Sequence, residues 1–599
     1  MTAPPASLAQ SLRQSFAVLP QRRRWQCIAV LGLMLVGALA ELVTIGAVLP
    51  FLALIANPHA ADSHPSLARL LGLLGVSDRL PSLAALAGLF CAVAVIAALV
   101  RMLLSWASQR FVFRLGYDLS VALYGHILDQ PYSFHVANNA SKTLAAIEKV
   151  QRATFGFFMP LMQLVTSGII AIFIFAGLVF ISAPVALAAA AGFGLTYLLV
   201  SVVTRHRLRQ NSRAIATAYT ERIQTVQEGL GGIRDVILDR AQRIYLERFG
   251  RFDSRLRDAQ ATNALIASAP RFVVEGMGMV LIAVLALILN RQAGGLAVAL
   301  PVLGALALGA QRLLPLLQQI YNGWAMVLTN QSALDDVLEL LSHPTAEAVR
   351  AEDTAPVAFE TALVLDKVSF RYAEDRPLVL RDVSLTIPKG ARIGFVGETG
   401  SGKSTLVDLI LGLLSPSAGT IWIDGEPLRP ANTRAWQAKI AHVPQHIYLS
   451  DATIIENIAF GAGRPAIDEA RAHLAARHAQ VDSFITEQPL GYDALVGERG
   501  VRLSGGQRQR IGIARALYKH AAVLVLDEAT SALDDATETA VMAAINALGQ
   551  ELTVLMIAHR VTTLRGCDII FRLDHGEIVE SGSYAEVIGD KDLLHQGAG

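Results

Sequence analysis

The sequence predicts a two-part protein in which a six-helix all-α transmembrane domain is followed by an α/β domain. Nearly all the long apolar runs lie between Trp25 and about Leu341, whereas from about Ala355 short β-branched runs alternate with helices and glycine turns. Over the 599 residues, 53% are hydrophobic and only 17% are charged, against about a quarter charged in an ordinary soluble protein. The expected parts are an N-terminal segment 1–24, a transmembrane domain 25–341, a linker 342–357 and an α/β domain 358–599.

Six segments are long and apolar enough to cross a membrane. A helix needs about 20 apolar residues to cross a hydrocarbon core about 30 Å thick. The predicted spans are approximately 25–56, 82–106, 153–181, 184–204, 271–290 and 296–320. The polar segments after the second and fourth spans are rich in helix formers, so we expect these helices to continue beyond the membrane.

Basic residues predict the orientation. Arg22, Arg23 and Arg24 precede the first span, and arginines cluster between Arg205 and Arg222 after the fourth. The connections after the first, third and fifth spans carry little charge or are short, as at Ile181–Pro184. Both termini are therefore expected in the cytoplasm. The first apolar run is too long for a cleaved signal peptide.

The outer connection 57–81 contains a short amphipathic segment. Its leucines at 67, 70, 71 and 74 fall on one helical face. This pattern predicts a helix lying on the outer leaflet, and a loop whose leucines pack on the spans is the alternative.

Charge and cysteine content argue against other classes of protein. The 51 basic and 50 acidic residues give a formal net charge of +1, so no overall field attracts nucleic acid. Cys27, Cys91 and Cys567 lie far apart and match no metal-binding spacing. We therefore expect no disulfide framework.

A phosphate-binding loop opens the α/β domain. It lies between a strand that ends at Gly394-Phe395-Val396 and a helix that continues to Leu414, as a P-loop requires. Its backbone amides would surround a nucleotide β-phosphate at a helix N-terminus, Lys403 would reach the β/γ oxygens, and Ser404 would ligate Mg²⁺. The predicted nucleotide-binding residues are Gly397, Glu398, Thr399, Gly400, Ser401, Gly402, Lys403, Ser404 and Thr405.

A second apolar strand, Val523–Leu526, leads to two acids. A parallel strand opens onto the ligand crevice at its carboxyl end, where Asp527 and Glu528 lie. Asp527 suits the Mg²⁺ coordination shell, and Glu528 is expected to polarise the attacking water.

Between these motifs lies Leu503-Ser504-Gly505-Gly506-Gln507, ahead of a helical run. The amides of this second helix N-terminus can hold a γ-phosphate. With Ser504, Gly505, Gly506 and Gln507 in this position, the C-terminal domain resembles an ATP-binding cassette over about 240 residues.

The resemblance implies roles for five further elements. Tyr372 stands where an adenine-stacking aromatic is expected, and Gln445 where a glutamine contacts Mg²⁺ and the γ-phosphate. Gly497–Gly500 resembles the segment that touches coupling helices. Ser531–Asp534 resembles the dimer-face loop, with Asp534 at the nucleotide, and His559 resembles the switch histidine over the γ-phosphate.

In this family two cassettes close around two ATP molecules, the signature of one subunit covering the P-loop of the other. Because the chain carries one set of motifs, the resemblance implies a homodimer. Glu528, Gln445 and His559 are all present, so both sites are expected to be catalytic with ATP and Mg²⁺ as cofactors.

The membrane half resembles an exporter-type half-transporter, whose helical extensions end in coupling helices. The candidates are Tyr132–His135 and Gly229–Asp235. Ordinary turns remain the alternative for both, although loops between rigid elements tend to carry function.

Three arginines lie at one depth in the membrane half. Counting about 1.5 Å per residue from the outer helix ends places Arg101, Arg271 and Arg312 about 25–30 Å inward, near the inner headgroup boundary. Arginine at this level either faces a cavity, where its fork suits phosphate oxygens, or anchors a helix end in the interface.

Sequence context favours the cavity. Pro270–Glu275, Gln311–Pro315 and Glu41–Gly46, with the outer amphipathic segment, resemble bacterial flippases for lipid-linked oligosaccharides. The resemblance implies that the arginines engage a pyrophosphate and that the external helix contacts a polyprenyl tail. Glu41 and Glu275 are intramembrane carboxylates that can pair with arginines or stay protonated.

The predicted function is an ATP-driven flippase that moves a polyprenyl-diphosphate-linked oligosaccharide from the inner to the outer leaflet by alternating access. Its expected partners are a second copy of the chain and membrane lipids, with no nucleic acid. A general lipid or multidrug exporter is the alternative within transporters, and an ATP-gated channel or regulator is a further one.

Overall fold

The computed structural model describes residues 8–18, 20–56, 79–137, 140–290, 295–342, 357–530, 532–549, 551–557 and 561–589. The chain divides into two compact units. The first comprises Met1–Leu128 and Asn138–His343, and the second comprises Asp129–Ala137 and Pro344–Gly599. The predicted outer amphipathic segment, with its leucines at 67, 70, 71 and 74, lies outside the described ranges.

The N-terminal part of the chain forms long helices, as its apolar runs predict. Among the residues described, three stretches are long and apolar enough to cross a membrane, namely Gln21–Thr44, Ala87–Leu128 and Thr143–Phe180. The helices are α1 (Leu8–Val18), α2 (Gln21–Ala56), α3 (Arg79–Leu128), α4 (Tyr132–Ala137), α5 (Ala140–Ala153), α6 (Met159–Gly231), α7 (Ile233–Leu238), α8 (Gln242–Asn290) and α9 (Gly295–Ser342). A π-helical turn, Thr154–Phe158, joins α5 to α6.

Helix α6 reverses direction within its 73 residues. Ser167 bonds to Gln319 at 2.7 Å, and Tyr197 bonds to the adjacent Gln318 at 2.9 Å. In a straight helix Ser167 and Tyr197 would lie about 45 Å apart along the axis, so they could not contact neighbouring residues of α9. The two halves of α6 must therefore fold back on each other between Ser167 and Tyr197, where the sequence predicts the connection Ile181–Pro184.

The two halves also run in opposite directions along α9. Contacts of the later half move forward along α9, since Ser212 bonds to Ser332 at 2.8 Å. Contacts of the earlier half move backward, since Asn330 donates to the carbonyl of Gly156 just before α6. This arrangement agrees with separate third and fourth spans.

The second unit contains an α/β domain with two sheets. The larger sheet has the order β10-β9-β3-β8-β7-β6, and the smaller has the order β2-β1-β4-β5. In the larger sheet β3, β6, β7, β8 and β9 pair in parallel, and β10 pairs with β9 in the antiparallel sense. The strands are β1 (Ala362–Phe370), β2 (Leu380–Pro388), β3 (Arg392–Val396), β4 (Ala418–Ile423), β5 (Glu426–Pro427), β6 (Ile440–Val443), β7 (Val523–Asp527), β8 (Thr553–Ile557), β9 (Ile569–Asp574) and β10 (Glu577–Gly582).

Helices cover this sheet and build the rest of the domain. Buried aliphatic residues of β7 and β8 make their strands nearly continuous apolar runs, as expected when both faces of a parallel sheet are covered. The helices are α10 (Lys403–Ile410), α11 (Pro430–Ala438), α12 (Ile454–Ile458), α13 (Glu469–His478), α14 (Asp482–Thr486), α15 (Gly505–Tyr518), α16 (Asp535–Asn546) and α17 (Tyr584–Val587).

The short helix α4 groups with the α/β domain, although its sequence lies between two membrane helices. Asp129, just before α4, forms an ion pair with Arg434 of α11 at 3.3 Å. Burial raises the pKa of the Tyr132 hydroxyl, and the charge of Asp408 adds to this effect. One of the two predicted coupling segments therefore packs on the nucleotide-binding domain.

Candidate functional site

The P-loop connects the end of β3 to the start of α10. Gly400 and Gly402 have φ values of 88° and 105°, a left-handed region that favours glycine. A Cβ on Gly397 would lie 2.2 Å from the carbonyl oxygen of Leu573, so a side chain cannot fit there without moving backbone. These glycines explain how the loop curls tightly enough to present its amides to an anion.

Polar groups in the loop are arranged for a ligand with phosphate groups. Lys403 donates from Nζ to the carbonyl oxygens of Gly397 and Glu398 at 2.7 and 2.8 Å. The hydroxyl of Ser401 is buried and has no hydrogen-bond partner among the residues described. Burial lowers the pKa of Lys403, whereas the nearby Glu528 and Asp527 charges raise it. An ATP phosphate would supply an anion for the half-buried Lys403 ammonium and an acceptor for the buried Ser401 hydroxyl.

The sheet order brings Gln445 to Glu528. Strands β6 and β7 are parallel neighbours with Val443 opposite Leu526, so the residues that follow each strand meet at one edge. The amide of Gln445 donates from Nε2 to Oε2 of Glu528 at 2.5 Å. Asp527 ends β7 and Ser404 lies in the first turn of α10, so the site offers the oxygen ligands that Mg²⁺ prefers.

Tyr372 lies beside the P-loop helix. Its hydroxyl is 3.1 Å from that of Thr405, and its ring contacts Phe370 edge-on with centroids 5.0 Å apart. The residue is 49% exposed, which leaves ring surface available for a base. The predicted stacking residue is therefore held close to the P-loop by Thr405.

The signature motif caps α15. The backbone amide of Ser504 donates to the Gln507 side chain at 2.8 Å, and the Gln507 amide donates to Ser504 Oγ at 3.2 Å. This capping box fixes the helix N-terminus while Ser504 remains exposed. Ser504 is thus presented on the surface of the domain.

A residue that the sequence analysis missed connects the signature helix to the dimer-face loop. The buried Gln509 accepts a hydrogen bond from the Ala532 amide at 3.0 Å. Asp534 caps α16 by accepting from the Thr537 amide at 3.1 Å. Only its position, two residues after the signature motif ends at Gln507, could have indicated Gln509 from the sequence. Ser531 and His559 lie outside the described residues.

Two of the three predicted arginines line cavities in the helical unit. Arg101 borders a cavity of about 350 Å³, and Arg271 borders one of about 280 Å³, with Gln319 in the wall of both. Arg312 lies on α9, and its side chain is outside the described part of the structure.

Both described arginines have carboxylate partners. Arg101 donates from Nη1 to Glu41 of α2 at 3.1 Å, and Arg271 donates from Nε to Glu275 at 2.7 Å, one helical turn away. Glu41 is 9% exposed, whereas Arg101 is 46% exposed. Of the two possibilities for these carboxylates, the structure therefore shows pairing with arginine.

Comparisons with known proteins agree with both halves of the chain. Residues 31–291 match the model of the ABC transporter transmembrane region, and residues 380–531 match that of the ABC transporter. The ATP-dependent lipid A-core flippase of Alkalilimnicola ehrlichii is 32% identical over 496 residues, 81% of each chain. The protein of the same name from Thiobacillus denitrificans is 32% identical over 521 residues, 85% of this chain and 87% of its own.

A solved structure supports the fold. The structure of a bacterial Atm1-family ABC exporter with ATP bound covers 96% of both chains with a TM-score of 0.75 at 24% identity. The predicted fold class, an exporter-type helical transmembrane domain followed by an ATP-binding cassette, is confirmed. The chain belongs to the ABC transporters, as an exporter-type half-transporter that couples ATP hydrolysis to transport across the membrane.

Proposed function

We propose that this chain acts as a homodimeric flippase that moves a polyprenyl-diphosphate-linked oligosaccharide from the inner to the outer leaflet of the bacterial inner membrane. The observation that carries the proposal is Arg101, a half-exposed guanidinium at a cavity inside the helical unit. Its planar fork suits phosphate oxygens, and an arginine inside a membrane domain marks a functional site by default.

In the ATP site, the positions of the described residues support the following roles. Lys403 and the loop amides bind the β- and γ-phosphates, and Tyr372 stacks on the adenine. Ser404, Gln445 and Asp527 would hold Mg²⁺, which would supply positive charge to neutralise the phosphates. Glu528 orients and polarises the attacking water, and its hydrogen bond with Gln445 at 2.5 Å links the catalytic carboxylate to that neighbour.

A second copy completes each ATP site. The exposed Ser504 of one copy would cover the P-loop of the other, and Asp534 would lie at that interface. Helix α7, which begins within the second predicted coupling segment Gly229–Asp235, supports association, because its apolar residues Ile233, Ile237 and Leu238 are 46%, 57% and 69% exposed. An apolar surface of this kind favours contact with another protein surface.

Transport requires that closure of the cassettes changes the conformation of the cavity. We propose that ATP binding closes the two cassettes and that α4 and α7 transmit this movement to the membrane helices. Hydrolysis and product release then reset the cavity. The arginines that precede and follow the spans support a cytoplasmic location for the cassette and both termini. Only a substrate that binds the two cavity states differently can be moved.

A lipid A-core-type glycolipid is the second candidate substrate. The names of the two bacterial relatives above favour it. Both candidates combine a lipid tail, phosphate groups and sugars, so a cationic cavity fits either. A general lipid or multidrug exporter would have less need of cavity arginines.

The experiment compares these lipids in proteoliposomes that contain the purified protein. ATP-dependent translocation is measured for a polyprenyl-diphosphate oligosaccharide, a lipid A-core glycolipid, phosphatidylglycerol and an uncharged drug. We expect the first lipid to be moved and Arg101→Gln to reduce its movement at least about tenfold, with ATP binding retained. Movement of the drug or phosphatidylglycerol alone would refute the proposal, and movement of the lipid A-core glycolipid alone would select the second candidate. ATP-dependent ion conductance would favour a channel.

A further inference from the structure

The cavity beside Arg101 has a lining that the sequence analysis did not anticipate. It lies between α3, α6 and α9 within the helical unit, and its volume is about 350 Å³. Among the described residues that line it, Arg101 is the only charged one. Its neutral polar residues include Ser105, Ser108, Gln163, Thr166, Ser167 and Gln319.

The depth of these polar residues makes them costly without a polar ligand. Gln163, Thr166 and Ser167 lie 10 to 14 residues into the predicted third span, and they share the depth of Arg101, whose cavity they line. Amides and hydroxyls at that depth are expensive in hydrocarbon unless they face a cavity or hydrogen-bond to protein. Their presence on one cavity wall indicates that the cavity admits polar groups.

The internal hydrogen bonds satisfy only part of this lining. Ser167 donates to Oε1 of Gln319 at 2.7 Å, which leaves the NH₂ group of Gln319 as a donor. Thr166 donates to the carbonyl of Met162, so its oxygen can still accept. The hydroxyl of Ser108 is buried and has no partner within the described ranges. The wall therefore presents both donors and acceptors beside one cation.

This combination fits a carbohydrate attached to a phosphate. Sugar hydroxyls donate and accept, and so match neutral amides and hydroxyls, whereas an acyl or polyprenyl tail would leave these groups unpaired. The second cavity is different, because Glu275, the partner of its Arg271, also lines it, whereas Glu41, the partner of Arg101, is not among the described residues that line the first cavity. A volume of about 350 Å³ is at the lower end for small-ligand pockets, which suits the sugar nearest the phosphate rather than a whole oligosaccharide.

We propose that this cavity is a carbohydrate subsite, in which Gln163, Gln319 and Ser108 bind the first sugar while Arg101 binds the adjoining phosphate. The inference rests on the proposed flippase function and extends it by making the sugar, and not only the diphosphate, a determinant of affinity.

The test uses the full-length protein in proteoliposomes and two probes, a polyprenyl diphosphate without sugar and the same lipid bearing one N-acetylhexosamine. The half-maximal concentration for stimulating ATP hydrolysis is measured for each. We expect the sugar to lower this concentration about tenfold in the unmodified protein, as one or two added hydrogen bonds would. In Gln163→Leu, which keeps the side-chain size and removes the amide, we expect this advantage to disappear while the response to the sugarless lipid is retained.

Two controls keep the result interpretable. Gln210→Leu changes an exposed glutamine of α6 outside both cavities, and it should keep the sugar advantage. Ser108→Ala is a smaller change, and we expect it to reduce the sugar advantage as well. It therefore tests the subsite even if Gln163→Leu lowers the yield of folded protein. Equal responses to both lipids in the unmodified protein, or an unchanged advantage in Gln163→Leu and Ser108→Ala, would overturn the subsite. If neither probe nor any other glycolipid is moved, the proposed function itself fails.

Discussion

At the scale of single residues, Glu528 combines strained backbone with a short side-chain contact. Its φ is 51°, a region that non-glycine residues rarely adopt and that clusters at functional sites. The 2.5 Å bond from Gln445 then directs one carboxylate oxygen. The sequence could predict Glu528 from its place after an apolar strand, but neither the strain nor the bond to a residue 83 positions away follows from local sequence.

Glu528→Gln should lower ATP turnover by about 10²–10⁴-fold, because a neutral amide cannot polarise water as a carboxylate does. ATP binding should remain, since the P-loop is unchanged. Steady-state hydrolysis and equilibrium nucleotide binding measure the two effects, with the surface variant Glu426→Gln as the matched control. Turnover within a fewfold of the unmodified protein would assign the water-activating role to another group.

The two arginine–glutamate pairs should differ in their effect on stability. Arg101→Ala leaves Glu41, which is 9% exposed, without its cationic partner, and losing one member of a buried pair costs about 3–5 kcal/mol. The solvent exposure of Arg101 brings our expectation down to about 1–3 kcal/mol. Arg271→Ala breaks an exposed pair within one helix, where water screens the two charges, so we expect little loss of stability.

Thermal unfolding in detergent tests this difference. Arg101→Ala should lower the midpoint clearly more than Arg271→Ala, and adding Glu41→Gln to Arg101→Ala should recover part of the loss. Equal shifts for the two single variants would mean that Glu41 does not depend on Arg101.

Asp408 of α10 should make stability depend on pH. Burial, with a contribution from the Asp527 charge, raises the pKa of Asp408 to about 6, whereas an unfolded chain has an Asp pKa of about 4. Between these values the folded state holds a proton that the unfolded state releases. The stabilising effect is therefore complete below about pH 4 and is lost as the pH rises through about 6.

Asp408→Asn removes this titration. The unfolding midpoint of the unmodified protein, relative to that of the variant, should fall between about pH 4 and about pH 6. Parallel pH profiles for the two proteins would show that Asp408 titrates normally.

At the scale of elements, the π-helical turn Thr154–Phe158 was not predictable. Apolar periodicity indicated a span from 153, and nothing in that pattern distinguishes one widened turn. The packing explains the position of Gly156, because a Cβ there would lie 2.4 Å from the Asn330 side chain. Asn330 also donates to the Gly156 carbonyl at 3.2 Å, so α9 and the turn fit closely.

Gly156→Ala should destabilise the helical unit by about 1–3 kcal/mol, as overpacking at a close contact does. Gly168→Ala on α6 is the matched control, since its Cβ would meet nothing within 4 Å. Urea unfolding in detergent compares the two variants. A larger loss for Gly168→Ala would contradict the packing argument.

At the scale of the whole molecule, local patterns predicted most of the architecture. Apolar runs and phosphate motifs each act over a few tens of residues, so the division into membrane and nucleotide-binding parts could be read directly. Contacts between residues that are distant in sequence could not be predicted from these local patterns. Glu41 lies 60 residues from Arg101, and the amide-lined cavity combines α3, α6 and α9. Such groupings depend on how helices pack, which periodicity does not specify.

Complementation between two inactive variants tests whether two copies of the chain share each ATP site. If the signature of one copy completes the P-loop of the other, Lys403→Ala and Ser504→Arg each inactivate both sites of their own homodimer. A mixed dimer has one site with both changes and one site with neither. Mixing the two variants before reconstitution should therefore restore ATP hydrolysis, because random pairing puts one intact site in about half of the dimers. If both motifs acted within one chain, every site would contain one defect, and the mixture would be no more active than either variant alone.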